Sequence, residues 1–376
     1  MSRGFPVTEY EGRVARAQAR MAEEGLGALL LTTEPEVRYF TGFLTRFWES
    51  PSRPWFLVVP AEGKPIAVIP SIGAALMAST WVEDIRTWAA PDPDDDGVSL
   101  LADALREVGG PVGVPSHLET HLRMPLSDFA RVQRLAGMEF TDDRGIVAGL
   151  RAIKSAAEIG KIAESCDVAA RAFARVGEIA APGVALSRVF RDFQRLLLEE
   201  GADWVPYLAG GAGPEGYADV ISPATEVPLA EGDILMLDTG AVRDGYFCDY
   251  DRNFAIGRAS EGQRTAHARL LEAVQAGLEV ARAGVRADEV WRAMAAVTGG
   301  GEGAGRLGHG LGMQLTEGLS LTAKDLTVLQ PGMVITLEPG VETVPWRIMV
   351  HEENIVITEG APRVLSPLAG AELPII

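Results

Sequence analysis

Residues 237–254 read LDTGAVRDGYFCDYDRNF. Residues 233–242 (DILMLDTGAV) have the apolar, β-compatible composition of a strand, and 246–256 (YFCDYDRNFAI) make a second. Between them stands Arg243-Asp244-Gly245. Asp-Gly between two such runs is a strong short-range hairpin signal. Asp238 and Asp249 lie nearly equally far from the centre of that turn, so a hairpin places them opposite or diagonal to one another. Directly opposite Cβ atoms sit about 4.5–5.5 Å apart, and two carboxylates held that close repel unless a proton or a cation stands between them.

A second acidic pair repeats the pattern. Residues 336–353 read TLEPGVETVPWRIMVHEE; 333–338 and 347–357 are strand-like, joined through a long Pro/Gly-containing loop. Glu338 and Glu352 are equidistant from Pro345. Two acidic pairs on two hairpins describe a site built from two half-sites and hint at an internal duplication. A fifth group, His309, lies in LGHGLG (307–312), flanked by glycines that let backbone approach a site closely. Each acid alone reads as an ordinary turn, cap or solvated residue; the near-symmetric spacing of both pairs with the Gly-flanked imidazole makes the set a metal-site candidate. Oxygen ligands with a single nitrogen suit Mn, Co, Zn or Fe(II). Two such ions about 3.5–4 Å apart would activate a bridging water and polarise a carbonyl.

These motifs resemble the pita-bread metallopeptidase superfamily, which includes methionine aminopeptidase, aminopeptidase P, prolidase and the metal-free creatinase. Asp-x-Gly with a second Asp eleven residues on, in a GYxxDxxR context, matches Asp238–Gly240 and Gly245–Arg252. GHGxG matches Gly308–Gly312, GMVxTxEPG matches Gly332–Gly340, and a Glu before a hydrophobic strand matches Glu352. RxIKSxxEI, a signature of the two-domain branch, is present from Arg151 to Ile159, and the likeness extends back to Tyr39–Phe43. The resemblance implies that Asp238, Asp249, His309, Glu338 and Glu352 hold two divalent metal ions, with Glu338 also helping to activate the bridging water. It implies an α/β N-terminal creatinase-like domain over 1–148 and an α+β pita-bread catalytic domain over 149–376.

The departures from the family pattern matter as much. The second His of prolidases, a few residues after the ligand His, is replaced by Thr316 in Leu315-Thr316-Glu317. The His about seventeen residues before the first Asp falls on Ile221, the Arg two residues before the last Glu becomes Val350, and the Thr of the usual DxTR becomes Asp251. In the family these groups handle substrate and the tetrahedral intermediate. A hydroxyl or alkyl chain does not replace an imidazole as a proton shuttle near neutral pH. Asp251 shares a face with Asp249 by strand alternation, free to pair with Arg252 or another cation or to tune a metal from behind its ligands.

At 376 residues and 47% hydrophobic content the chain has material for two sizeable cores. Its formal net charge of −18 excludes nucleic acid and anionic membrane as natural partners. Two cysteines, Cys166 and Cys248, make no disulfide framework. The N-terminus lacks an apolar signal region and no apolar run reaches bilayer length, so a cytoplasmic enzyme is expected.

Further elements follow from the pattern. A helix over 9–25 carries Val14, Ala17 and Met21 on one face. Strands are expected at 28–32, 55–59, 66–69 and 112–115, a solvated acidic loop at 92–96, and a helix at 100–108. Helices at 158–180, 187–200 (Ser187 as N-cap), 263–283 and 287–295 belong to the second domain. The segment RFWESPSRPW (46–55) is a basic-aromatic loop in an acidic chain. In creatinase-like enzymes the matching loop comes from the partner subunit, which implies a homodimer and makes Arg53 the candidate for a substrate carboxylate. Trp204 and Tyr207, in DWVPYLAGG, resemble a pocket wall.

The expected function is hydrolysis of a small peptide or amide bond by a metal-bridging hydroxide, of the Xaa-Pro dipeptidase or aminopeptidase type. The lost side chains leave a second expectation: a non-peptide C–N hydrolase or lyase acting on a small amino-acid-derived carboxylate. A third, a binding module without catalysis, is disfavoured because all five ligand positions are filled.

Overall fold

A computed structural model describes residues 3–50, 53–300 and 305–376, and the chain divides into two compact units, Met1–Arg151 and Ala152–Ile376. In the first unit the elements run α1 Val7–Glu24, β1 Ala28–Leu31, α2 Glu34–Thr41, β2 Phe56–Pro60, β3 Ile66–Pro70, α3 Ala74–Met77, β4 Asp84–Trp88, α4 Val98–Val108, β5 Val112–Val114, α5 Leu126–Ala136, β6 Phe140–Asp142 and α6 Ile146–Ala152. They form a mixed sheet in the order β4-β3-β2-β1-β5-β6. Strand β1 is buried on both faces, which is why ALLL is an unbroken apolar run rather than an alternating one. One sheet face meets Leu101, Ala104 and Leu105 of α4 and Val132 and Ala136 of α5. Helix α1 turns Tyr10, Val14, Ala17 and Met21 inward at helical spacing.

The acidic run at 92–96 does more than face water. Asp92 accepts the N–H groups of Asp94 and Asp95, Asp95 accepts that of Ser99, and Asp96 accepts the Trp88 indole N–H. The run thus orders the entrance to α4. In the loop expected to be basic and aromatic, the aromatic half is core: Trp48 and Trp55 are buried with centroids 5.8 Å apart. Pro51 and Ser52 of that loop lie outside the described residues.

The second unit holds α7 Ala156–Phe173, α8 Leu186–Glu199, β7 Trp204–Pro214, β8 Asp233–Arg243, β9 Tyr246–Phe247, β10 Tyr250–Ala255, α9 Glu261–Val280, α10 Ala287–Thr298, β11 Val334–Leu337, β12 Gly340–Val344, β13 Arg347–Val350, β14 Glu353–Val356 and β15 Arg363–Val364. Strands order as β10-β8-β7, with β9 on β8; as β11-β14-β15; and as β12-β13. This is α+β, with α9 and α10 packing Val274, Val290 and Met294 near Ile335, Leu337 and Ile355. No helix among the described residues is long and apolar enough to cross a membrane.

Several expectations need correction. The long helix after 158 ends at Phe173, with a 3-10 turn at Val176–Glu178. Its start is fixed by a capping box in which Ser155 accepts from Glu158 N–H at 3.3 Å and donates its own N–H to Glu158 at 3.0 Å. Ser187 is inside α8 and Ala185 occupies the N-cap. Both strands expected to be continuous are interrupted, at Cys248-Asp249 and at His351-Glu352. The connection between Glu338 and Glu352 is not a long loop but a hairpin arm, with β12 paired to β13 and a turn at Pro345-Trp346, where Trp346 has φ 69°.

Candidate metal centre

The first hairpin closes through Asp244 (φ 48°) and Gly245 (φ 79°), the two positive φ values that a two-residue turn of the strand-compatible hand requires. Arg243 therefore pairs with Tyr246, and the same register places Asp238 opposite Asp251. Asp249 is two residues nearer the turn, diagonal to Asp238. The hairpin tip is held by α7: Lys161 meets Asp244 at 2.7 Å, the Tyr246 hydroxyl donates to Glu158 at 2.9 Å, and Ser165 donates to the Tyr246 carbonyl at 2.9 Å.

The second pair is in the directly opposite arrangement. Strands β11 and β14 pair Leu337 with Glu353, so the next step of that antiparallel register sets Glu338 against Glu352. The His309 segment joins the same structure, since Gly310 bridges Ile335 and His309 exchanges backbone hydrogen bonds with Thr336 and its hydroxyl. Gly310 is needed there because a Cβ would lie 1.9 Å from the Glu317 carbonyl oxygen. Gly310→Ala is expected to displace the His309 loop and weaken divalent-metal affinity about tenfold or more, measured by titration calorimetry on folded protein.

Asp249, His309 and Glu352 present ligand atoms within 4.8 Å of one another. His309 Nε2 lies 3.3 Å from Asp249 Oδ2 and 3.1 Å from Glu338 Oε1. Asp249, His309 and Glu352 are buried and form the floor; Glu338 is partly exposed at the rim, and Asp238, half-buried as a residue, keeps its Oδ1 buried. Tyr207 brings its hydroxyl 3.0 Å from Asp238 Oδ2. Of the other candidates, Trp204 begins β7 and is half-buried, and Thr316 is half-buried beside Glu317. Arg53 belongs to the first unit, its guanidinium 5.9 Å from the Phe47 ring centre.

Electrostatics give the assembly its meaning. Burial pushes Asp238 far above the ordinary carboxylate range, reinforced by Asp249 and Asp251. Burial does the same to Glu352, with Asp249 and Glu338 adding to it. Asp249 is pushed up to about 6 by burial, with His309 pulling the other way. Burial disfavours a charged His309, but Asp249 and Glu338 outweigh it and raise the imidazole. Tyr207 is raised by burial and then by Asp238 and Asp249, so it stays an O–H donor.

The fit to a cation can be tested on individual atoms. Asp238 Oδ1, Asp249 Oδ1 and Glu352 Oε1 are buried and have no hydrogen-bond partner. Buried carboxylate oxygens without partners are costly, and buried charges are ordinarily paired or coordinate metals. These three point to a divalent ion of the oxygen-preferring kind, and the lone imidazole fits the same class. A rival grouping in the first unit, His117 with Asp142 and Asp143, fails this test: both Asp143 oxygens already accept backbone N–H groups, from Gly145 and Val147.

Four supporting residues were missed by the sequence reading. Thr336 accepts the His309 N–H at 2.9 Å and donates to Glu338 Oε1 at 2.6 Å. Its place two residues before Glu338 on one strand was the available signal. Lys154 and Glu317 make a buried pair at 2.9 Å, tying the RAIKS segment to the His309 loop. Asn354 accepts the Asp249 N–H at 3.0 Å.

The positions where the family pattern has lost groups are equally definite. Ile221 is 86% exposed in a turn and Val350 gives its N–H to the Tyr217 hydroxyl. Asp251 pairs with His351 at 3.3 Å rather than with the Arg252 side chain, which pairs with Glu353 at 3.1 Å. Of the imidazoles in the second unit, His351 is engaged by Asp251 and Glu353, and His267 Nε2 lies 3.0 Å from the Gly370 carbonyl. Among the described residues of the second unit, His309 is the imidazole set against the candidate ligands Asp249 and Glu338.

Comparison with known proteins agrees with this layout. The family model described as Metallopeptidase family M24 matches residues 160–359, and that of the Creatinase/Prolidase N-terminal domain matches 13–153. A "Probable dipeptidase PepE" of Mycobacterium tuberculosis is 29% identical over 362 residues, covering 95% of this chain and 94% of that protein. A Xaa-Pro dipeptidase of Pyrococcus furiosus is 30% identical over 236 residues, 60% of this chain and 66% of its own length. The crystal structure of dipeptidase PepE from Mycobacterium ulcerans superposes with a TM-score of 0.84 at 27% identity, covering 99% of both chains.

Proposed function

The chain belongs to metallopeptidase family M24, and on that footing we propose that it hydrolyses a dipeptide or comparably small amide, using two divalent ions held by Asp238, Asp249, His309, Glu338 and Glu352. The observation that carries this reading is the set of buried, partnerless oxygens on Asp238, Asp249 and Glu352 around His309. Divalent ions held there supply a Lewis acid for the substrate carbonyl and lower the pKa of a water. The remaining work falls to the chain. Glu338, at the open rim with Thr336 fixing one oxygen, accepts a proton from the attacking water and returns it to the departing nitrogen. The Tyr207 hydroxyl offers a hydrogen bond on the Asp238 side. Metal analysis of reconstituted protein tests the reading: fewer than one tightly bound divalent ion per chain sinks it.

The names of the relatives support a dipeptide, with Xaa-Pro the narrower choice. With Ile221 exposed and Thr316 and Val350 half-buried, the described residues of the second unit offer no imidazole besides His309 beside Glu338, which favours a second reading on a non-peptide C–N bond. A panel of Xaa-Pro dipeptides, other dipeptides, and cyclic or N-alkyl amino acids separates them. Turnover confined to the last group, with metals loaded, replaces the peptidase reading with the second.

Supported by the same resemblance, we assign the catalytic domain to 149–376. The working form is proposed to be a cytoplasmic homodimer in which Arg53 contacts a substrate carboxylate. Arg53→Ala should then raise KM roughly 10–100-fold, the scale of a charge-assisted hydrogen bond, with kcat nearly unchanged. An unchanged KM removes Arg53 from the site.

A further inference from the structure

Two of the candidate ligands sit where the strand ladders break. Asp249 falls between β9 and β10, and Glu352 between β13 and β14. Peptide groups at such breaks need partners other than a regular ladder. Here each ligand's peptide is gripped by a side chain two residues beyond the other ligand. Asn354, two after Glu352, accepts the Asp249 N–H at 3.0 Å through Oδ1 and donates through Nδ2 to the Asp249 carbonyl. Asp251, two after Asp249, accepts the Glu352 N–H at 3.1 Å, and its neighbour Arg252 donates to the Glu352 carbonyl at 3.1 Å. Asn354 and Asp251 are almost wholly buried.

Both grips are braced. Cys166 donates its thiol to Asn354 Oδ1 at 3.3 Å, and the Asn354 N–H is held by Ser366 at 2.9 Å. On the other side His351 lies 3.3 Å from Asp251 and 3.1 Å from Glu353. Glu353 also takes Arg252 at 3.1 Å and the Ala369 N–H at 3.1 Å. Asp251, His351, Glu353 and Arg252 thus form a chain of side-chain contacts. Such a chain of hydrogen-bonded side chains fixes Asp251 in place.

We propose that Asp251 and Asn354 are reciprocal positioning residues, each setting the backbone of the metal ligand on the opposite hairpin, so that metal affinity depends on both although neither is one of the five ligands. The proposal rests on the metal-binding reading above. It goes beyond it by assigning a role to Asp251, the acid at the family's Thr position, and to an asparagine that no motif singled out.

The test uses the full chain and Mn²⁺, with affinity and stoichiometry from titration calorimetry and folding checked by near-UV circular dichroism. Asp251→Leu and Asn354→Leu keep volume and remove the grip; each is expected to lose 10–100-fold in affinity, the scale seen when groups behind metal ligands are removed. Asp251→Asn keeps the acceptor for the Glu352 N–H and is expected to stay within about threefold of the parent, a rescue that a mere packing role does not predict. Should leucine prevent folding, Asp251→Ser and Asn354→Ser shorten the side chains out of reach and give the same comparison. A parent that binds no Mn²⁺ defeats the metal reading. A parent that binds, with folded leucine or serine variants binding as tightly, overturns the positioning pair. Asp251→Asn losing as much as Asp251→Leu also overturns it as stated, because charge rather than the grip would then be what matters.

Discussion

Glu338→Gln is expected to lower kcat by about 10²–10⁴-fold, the range for loss of a positioned general acid–base, in protein carrying metal. Glutamine keeps the volume of the side chain and an oxygen that can accept from Thr336, whose hydroxyl lies 2.6 Å from Glu338 Oε1. What disappears is the negative charge 3.1 Å from His309 Nε2 and the capacity to carry a proton. Glu338 is partly exposed at the rim, whereas Asp249 and Glu352 lie in the floor. It is therefore the better placed of the second hairpin's two acids to meet an incoming water and a leaving nitrogen. Single-turnover rates with metal content measured on the same sample check this. A variant that holds metal and turns over within tenfold of the parent removes Glu338 from proton transfer.

The second large effect is on stability. In the metal-free protein, burial holds Asp249 at about 6 against the pull of His309, and burial with repulsion from neighbouring acids holds Asp238 and Glu352 well above the carboxylate range. Unfolded, these groups titrate near 4. Between those values the folded state binds more protons than the unfolded, so the slope of unfolding free energy with pH is negative. Their contribution is full below about pH 4 and is lost as pH rises through 6 and beyond. His309, raised by Asp249 and Glu338, acts with the same sign. For Asp249 alone the loss is on the order of 3 kcal/mol from a shift of about two units. A divalent ion takes the place of those protons, so its apparent affinity rises with pH and its binding releases protons. At about a thousand times Kd it adds roughly 4 kcal/mol, or a Tm increase on the order of 10 °C. Melting curves at pH 5 and pH 8, with and without Mn²⁺, read both effects. A metal-induced Tm increase that is larger at pH 5 than at pH 8 contradicts the account.

Much of this centre was legible before any coordinates. Asp244-Gly245 marked the turn and left Asp238 and Asp249 either opposite or diagonal; the register with Arg243 against Tyr246 selects the diagonal, with Asp251 opposite Asp238. The equal distance of Glu338 and Glu352 from Pro345 survived because the intervening segment is itself a hairpin arm rather than a loose loop. The α/β and α+β division followed from the alternation of apolar runs, and the family models match it. Strand β7 was not legible. WVPYLAGGAGP carries two prolines and three glycines, the composition of a loop, yet it pairs along β8 from Trp204 to Pro214. Tyr207 was read as a pocket-wall residue without a strand to place it, so its hydrogen bond to Asp238 was not foreseen. The end of α7 and the cap of α8 were misplaced because helical propensity runs past Phe173 and Ser187 mimics a cap. Tertiary packing decided both.

The cross-grip between Asp249 and Glu352 spans 100 to 105 residues of chain. Each hairpin on its own contributes two of the candidate acids and none of the side chains that hold its own ligand's peptide in place. A fragment from interrupted synthesis or a proteolytic cut between them therefore carries acids without a centre. Metal binding and turnover are then expected only of a chain that carries both hairpins.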